Sequence, residues 1–129
     1  MRKISLEELR KILGDHRLWI RSGGEEGCRA DLSCTDLSGA KLSFADLPGA
    51  ILSKANLSGV DLSYTDLSKA CLVRANLTGA NIQGVLLYGA DLRKADLRVA
   101  TAKHCYILKA KFSSSKNRAR LFMLGAEEE

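Results

Sequence analysis

Few side chains in this sequence could perform chemistry, and its only histidines are His16 and His104. His104 directly precedes Cys105, and a histidine beside a cysteine can act as the general base for a thiolate nucleophile. His16 and Trp19 lie three residues apart and could form a small binding site on one helix face. The four cysteines form no Cys-x-x-Cys pair, and no histidine stands at metal-ligand spacing from two of them. Whether any of these groups can react depends on the elements that position them.

Most of the chain is positioned by a short repeat. From Ala30 the sequence divides into seventeen consecutive pentapeptides that end at Ser114, without an insertion. The central residue is Leu in thirteen of them, the residue two positions earlier is Ala in twelve, and Asp or Asn lies between these positions in ten. A five-residue period rotates the leucines by about 140° per repeat on a helix and sends them to alternate faces of a strand. The chain must therefore bend once per repeat, which predicts a hollow coil filled with Leu and Ala and stabilised at its turns by Asp and Asn.

These A-D/N-L-x-x units resemble the repeats of pentapeptide repeat proteins over residues 30–114. The resemblance implies an all-β solenoid, a right-handed quadrilateral β-helix with four pentapeptides per coil and about four coils in this chain. Lys54, Arg74 and Lys94 recur at twenty-residue intervals, in agreement with that coil length. We predict a single domain with an N-terminal helical cap at 1–24, the β-helix at 25–114, and a C-terminal cap helix with an acidic tail at 115–129.

Residues 5–21 predict the N-terminal cap, an amphipathic helix. Ser5 followed by Glu8 is a capping-box pattern, while Gly14 weakens the helix and could split it. We favour a cap in which Trp19 lies over the open lumen, in preference to a binding site formed by His16 and Trp19.

Residues 116–125 predict a short C-terminal helix with an apolar run, formed by Leu121, Phe122, Met123 and Leu124. This run either closes the last coil or contacts a second molecule. Some pentapeptide repeat proteins dimerise through their C-terminal end, so the resemblance leaves a homodimer and a monomer as alternatives. Residues 127–129, all Glu, are expected to form a solvated tail.

The phase of the repeat separates the candidate Cys–His pair. Cys105 takes the inward position of its unit and His104 an outward corner, so the two side chains should diverge. The serines have no base in phase with them, and the sequence holds no phosphate-binding loop or dinucleotide fingerprint. We therefore predict a protein without enzymatic activity, cofactor or bound metal.

The N-terminal residues are charged and lack the apolar segment of a signal peptide, and no apolar run reaches the length of a membrane-spanning helix. The net charge of +5 permits acidic partners but is small for a nucleic-acid-binding protein. We expect a cytoplasmic protein with reduced cysteines and no contact with a membrane.

Three groups of outward side chains are the candidate partner-binding surface. The first is a basic column, which is either a solvated face or a docking stripe for an acidic partner; the second is an aromatic pair, and the third is an apolar cluster. Their members are Lys54, Arg74 and Lys94; Phe44 and Tyr64; and Leu86, Tyr88, Tyr106 and Leu108. The apolar cluster is either an interface or a site covered by the protein's own C-terminal helix, and we favour coverage.

These observations favour a non-catalytic scaffold that presents rigid faces to an unidentified protein partner. An alternative follows from the resemblance, because some family members modulate DNA gyrase by imitating duplex DNA. That activity requires an acidic surface, whereas residues 30–114 hold seven Asp against ten Lys and Arg. A second alternative is weak nucleic-acid binding through the basic column, which lacks interleaved aromatic residues.

Overall fold

The computed structural model describes residues 1–128. Its helices and strands are β1 (Arg2–Lys3), α1 (Leu6–Arg21), β2 (Thr35–Asp36) and α2 (Ser115–Met123). From Asp31 to Lys111 the chain forms mostly ladders of isolated bridges instead of long strands, because each five-residue unit contains a turn. Glu129, the last residue of the predicted tail, lies outside the described residues.

Within the repeats, the bridges join residues twenty positions apart in parallel, so four pentapeptides complete one coil with four faces. Each face is named by its column of bridged residues. Face 1 contains Asp31, Ile51, Cys71, Asp91 and Lys111; face 2 contains Asp36, Asn56, Asn76 and Asp96; face 3 contains Lys41, Asp61, Asn81 and Thr101; and face 4 contains Asp46, Asp66, Leu86 and Tyr106.

The central residues of the repeats form the core, as the sequence predicts. Leu32, Leu52 and Leu72 are completely buried, and the small residues two positions earlier, such as Ala50, are buried beside them. Burial of each Leu contributes about 1.5–3 kcal/mol. The polar atoms in the interior also have partners: within residues 1–128, no buried side-chain nitrogen or oxygen lacks a hydrogen bond.

The outward Asp and Asn residues stabilise the turns, which confirms the prediction. Asp61 Oδ1, for example, accepts a hydrogen bond from the backbone N–H of Ser63 at 2.9 Å. The hydroxyl and the N–H of Ser63 hold the pKa of Asp61 below its ordinary value. The second residue after each centre forms the corner, usually with a left-handed backbone, as at Lys54 with φ 59° and Gly59 with φ 67°.

The repeat changes at Val99, contrary to the expectation of an uninterrupted pattern. Gly39, Gly59 and Gly79 hold the same corner in the earlier coils, each with positive φ. A β-branched side chain disfavours that backbone conformation, and Val99 is absent from the left-handed residues and buried at 8% exposure. Ala100, which was assigned to the inward position, is exposed instead.

Helix α1 begins at the predicted cap but differs in detail. Ser5 Oγ accepts a hydrogen bond from the N–H of Glu8 at 3.1 Å. The Glu8 carboxylate pairs with Arg2 at 2.7 Å and does not close the capping box. The helix is continuous through Gly14, so this glycine does not split it. Its Leu9 side chain is buried against the core.

His16, not Trp19, makes the decisive contact between α1 and the first coil. The His16 ring is fully buried, its Nδ1 accepts from the N–H of Ala30 at 2.8 Å, and its Nε2 donates to the carbonyl of Pro48 at 2.8 Å. Trp19 is half-buried beside Gly49 at a corner, so its expected place over the lumen is wrong. Both His16 nitrogens are occupied by backbone groups, which removes the His16–Trp19 binding site from consideration.

Both chain ends add short segments to the ladders. At the N-terminus β1 pairs in parallel with β2, with Arg2 opposite Thr35. After α2 the chain returns to face 4, where Glu127 bridges Tyr106 and its N–H donates to the carbonyl of Cys105 at 2.7 Å. Glu127 therefore belongs to the ladder, which corrects the expectation that it lies in a solvated tail. These segments cover part of the open sheet edges at the two ends.

Candidate interaction surfaces

The Cys–His pair is not assembled for catalysis. Cys105 is fully buried, and burial raises the pKa of its thiol to about 12. His104 points outward, with its Nδ1 at 3.7 Å from Glu127 Oε1.

Among residues 1–128, no group of three or more His, Cys, Asp or Glu residues could hold a metal ion. In the same residues, neither helix has the length and apolar character needed to cross a membrane.

The apolar cluster forms an exposed surface, which we call the face 4 patch and which consists of Leu86, Tyr88, Tyr106 and Leu108. Leu86, Tyr88 and Leu108 are 39%, 38% and 40% exposed, and Tyr106 is half-buried. Together with Ser68 the four residues line a depression of about 330 Å³. Helix α2 leaves this surface open, so the expectation that the C-terminal helix covers it is wrong.

The face 4 patch continues in both directions along the solenoid. Ser68 also lines a depression of about 470 Å³ with Trp19 and Pro48 nearer the N-terminal cap. Tyr106 lines another depression with Phe122, beside α2. Three depressions therefore follow one another along this side of the solenoid, and the face 4 patch shares Ser68 with the first and Tyr106 with the last.

The aromatic pair lies at the corner between faces 3 and 4. Phe44 and Tyr64 stack with ring centroids 5.1 Å apart and an interplanar angle of 17°. Tyr64 in turn lies against Gly84, where an added Cβ would approach Tyr64 Cδ1 to 2.5 Å. Phe44 is 74% exposed, while α1 brings Arg10 and Arg17 beside it. The pair is a packed stack with one free ring face.

The basic column lies at the corner between faces 1 and 2, where Lys54, Arg74 and Lys94 are all exposed with positive φ. The neighbouring Arg93 and Arg98 are neutralised: their guanidinium groups pair with Asp91 at 2.7 Å and with Asp96 at 2.5 Å. The guanidinium of Arg98 also holds the pKa of Asp96 well below its ordinary value.

The four apolar residues near the end of the C-terminal helix are partly buried and partly exposed. Leu121 is completely buried and closes the last coil, while Leu124 is half-buried. Phe122 and Met123 are 38% and 89% exposed. Only the exposed residues are accessible to another molecule.

Sequence reasoning missed the basic residues on the other side of face 1. Lys69 and Lys109 are exposed at the corner between faces 4 and 1, and Lys111 is exposed on face 1 itself. Lys69 and Lys109 are separated by forty residues, or two coils, so counting positions in steps of twenty would have placed them at the same corner.

A protein-family model identifies the same repeats in the sequence. The family model named Pentapeptide repeats matches eight copies in this chain, within residues 30–68, 40–79, 70–106 and 80–116. The chain belongs to the pentapeptide repeat family. Membership of this family, with its right-handed β-helical solenoid, is consistent with the twenty-residue ladders. No curated protein shows significant similarity to the chain.

Solved structures of pentapeptide repeat proteins resemble the chain. A protein from Nostoc Pcc 7120 is 24% identical with a TM-score of 0.55, and the match covers 90% of this chain and 85% of that protein. A protein from the cyanobacterium Cyanothece 51142 is 35% identical with a TM-score of 0.44, over 70% of this chain and 65% of that protein's length. The plasmid-mediated fluoroquinolone resistance protein QnrB1 is 25% identical with a TM-score of 0.44, over 59% and 42% of the two chains. The Nostoc structure supports the shared fold.

Proposed function

We propose that this pentapeptide repeat protein is a non-catalytic scaffold that binds another protein through the face 4 patch. The observation that carries the proposal is the exposure of Leu86, Tyr88 and Leu108 beside the half-buried Tyr106. These side chains lie on two adjacent coils, at positions where the repeat usually places polar residues. Exposed apolar clusters of this kind mark interaction sites on soluble proteins. Tyrosine is also enriched at the centres of protein interfaces.

The backbone under the patch favours binding because it is already ordered. The N–H of Leu87 donates to the carbonyl of Tyr106 at 2.8 Å, and the N–H of Tyr106 donates to the carbonyl of Val85 at 3.0 Å. A partner therefore meets a preformed surface and loses little backbone entropy when it binds. Lys109 lies 5.8 Å from the Tyr88 ring centroid and adds a positive charge at the rim.

The coil offers little support for the alternative of DNA mimicry. Residues 30–114 carry ten Lys and Arg against seven Asp, so the surface is more basic than acidic. Dimerisation through the C-terminal end stays a prediction and now concerns Phe122 and Met123, because Leu121 is buried.

The proposal is tested by affinity capture from the native host with two charge-matched variants. Leu86→Glu with Tyr106→Glu places two carboxylates in the patch, and Asn81→Glu with Thr101→Glu places two at the equivalent positions of face 3. We expect the patch variant to lose a specific partner by at least about tenfold, while the face 3 variant retains it. Equal capture by both variants, with unchanged thermal unfolding, would rule out the patch as the docking site.

A further inference from the structure

The positive charge of the coil is concentrated on one side. Within residues 30–114, face 1 and its two corners carry seven Lys or Arg and two Asp. The other faces and corners of this region carry three Lys or Arg and five Asp. Face 1 thus has a surplus of five positive charges, while the remainder of the coil has a surplus of two negative charges. The small net charge of the whole chain does not reveal this asymmetry.

The basic side chains form two rows that border face 1. Lys54, Arg74 and Lys94 make the first row, and Lys69 and Lys109 make the second. Within residues 1–128 none of these five residues has an acidic partner within 4.0 Å. Their charges are therefore available to a ligand.

The backbone holds the rows in place along the solenoid. The N–H of Lys54 donates to the carbonyl of Val73 at 2.9 Å, and the N–H of Lys69 donates to the carbonyl of Tyr88 at 2.8 Å. The stem of Lys69 lies over Gly89, where an added Cβ would be 3.5 Å from its Cγ. Successive coils are separated by about 4.8 Å. The charges of each row therefore follow one another along the solenoid axis at multiples of that distance.

Between the two rows, face 1 has an uncharged strip in its second and third coils. The strip consists of Ile51, Ser53, Cys71 and Val73, all half-buried, and it lies between the coil of Asp31 and the coil of the Asp91–Arg93 pair. Lys69 and Arg74 are five residues apart along the chain, so their Cα atoms are at most about 17 Å apart. An α-helix with its side chains is about 10–12 Å in diameter. A single helix can therefore lie on the strip and contact both rows.

From this arrangement we infer that face 1 binds an acidic amphipathic α-helix of a partner protein. Its apolar stripe contacts Ile51 and Val73, and Asp or Glu residues on its two flanks face the basic rows. A nucleic-acid backbone or an anionic membrane would use the charges but place phosphate groups against the apolar strip. Face 1 also lacks the exposed aromatic side chains that stack on single-stranded bases. This site shares Lys109 with the rim of the face 4 patch. Ile51, Val73 and the first row lie outside that patch, so the inference does not depend on it.

The test uses a fluorescent acidic helical peptide as the probe, with a Leu stripe flanked by Glu on both sides. A control peptide carries Gln at every Glu position. Fluorescence anisotropy is measured with the full-length protein at about 50 and 200 mM salt, because screening weakens contacts between exposed charges. We expect the Glu peptide to bind at least about tenfold more tightly than the Gln peptide at low salt, and this advantage to fall at high salt.

Matched variants then locate the site. Lys54→Glu with Arg74→Glu reverses one row, and Lys41→Glu with Lys103→Glu makes the same charge change on face 3. Glu has a Cβ as Lys does, so the left-handed corner gains no new backbone restriction. We expect the row variant to weaken peptide binding by about tenfold or more and the face 3 variant by less than about twofold. Equal losses would overturn the assignment to face 1.

Further variants distinguish the helix from other polyanions. Ile51→Ser with Val73→Ser should weaken the peptide without affecting a duplex DNA probe or vesicles that contain phosphatidylserine. Tighter binding of either of these probes than of the peptide, or no effect of the strip variant on the peptide, would overturn the inference. Lys69→Gln, in the second row, provides an independent variant in case the first one unfolds. The face 4 patch variant should bind the peptide as the wild type does, so each of the two proposals can be disproved without the other.

Discussion

Replacement of His16 by Phe tests how the N-terminal cap is attached to the solenoid. The imidazole is fully buried, accepts from the N–H of Ala30 at 2.8 Å and donates to the carbonyl of Pro48 at 2.8 Å. It also stacks on Trp19, with ring centroids 5.3 Å apart. His16→Phe retains an aromatic ring in the site but can make neither hydrogen bond. The substitution therefore separates hydrogen bonding from packing.

The expected loss follows from the two backbone groups that remain unpaired. A buried group without its hydrogen bond costs about 1–3 kcal/mol, so the two groups together lower the free energy of unfolding by about 2–6 kcal/mol. Urea denaturation followed by circular dichroism at pH 7.5 measures the change. Arg17→Phe, at an exposed position of α1, is the control for placing Phe in the helix. A loss for His16→Phe no larger than that of the control would refute the structural role of the hydrogen bonds.

The same histidine makes stability depend on pH. Burial lowers the pKa of His16 from its ordinary value of 6.5, and the hydrogen bond to Pro48 opposes the shift only in part. Below that value the unfolded chain binds a proton that the folded protein excludes, so the free energy of unfolding falls as the pH falls. The slope contributed by one such group is at most about 1.4 kcal/mol per pH unit. Between pH 7.5 and 5, His16→Phe should show a shallower dependence than the wild type, and parallel curves would contradict this explanation.

The remaining predictions concern a buried thiol and a crowded corner. Because Cys105 is buried and Cys34 exposed, a thiol reagent followed by peptide mass spectrometry should label Cys34 in the folded protein and Cys105 only after denaturation; equal labelling rates would contradict the packing. Gly84→Ala should lower the free energy of unfolding by more than Gly59→Ala, by roughly 1–3 kcal/mol, because both glycines have positive φ but only Gly84 lies under the Tyr64 ring. Tyr64→Ala should remove this difference in a double-mutant cycle measured by urea denaturation, and a persistent difference would exclude the ring as its cause.

The interior could be predicted from the sequence because its determinants lie within single repeats. Leu52 and Ala50 are two residues apart, which directs both inward, and Asp61 and Ser63 close a turn over the same distance. These relations need no knowledge of distant residues. A five-residue period also excludes a continuous helix or strand by geometry alone.

Local exceptions were harder to predict from the pattern. Val99 occupies the corner position that Gly79 holds one coil earlier, and its branched side chain is unsuited to that backbone. The signal was present in the sequence, but the regular units on both sides favoured an unchanged register. The structure places Val99 inward and Ala100 outward, a shift of one position at the boundary between two units.

The ends depended on contacts between residues far apart in sequence. His16 was recognised as part of a cap, but its bonds to Ala30 and Pro48 follow from the direction in which α1 crosses the first coil. In the same way, Glu127 joins face 4 only because α2 returns the chain to Tyr106. The sequence pattern predicts a helix at each end but does not specify these partners.

By itself, the sequence determined the coil, its leucine interior and the outward positions of the polar residues, because each follows from spacing within five residues. The twenty-residue spacing also predicted which outward residues become neighbours, as at Phe44 and Tyr64. Only the tertiary structure decided which of them remain exposed and how the two ends are closed. It leaves Leu86 and Leu108 exposed on face 4, and it brings Lys69 and Arg74 to opposite borders of face 1. The physical reason is that a binding surface combines side chains from successive coils, whose relative positions depend on how the chain closes each turn and ends each stack.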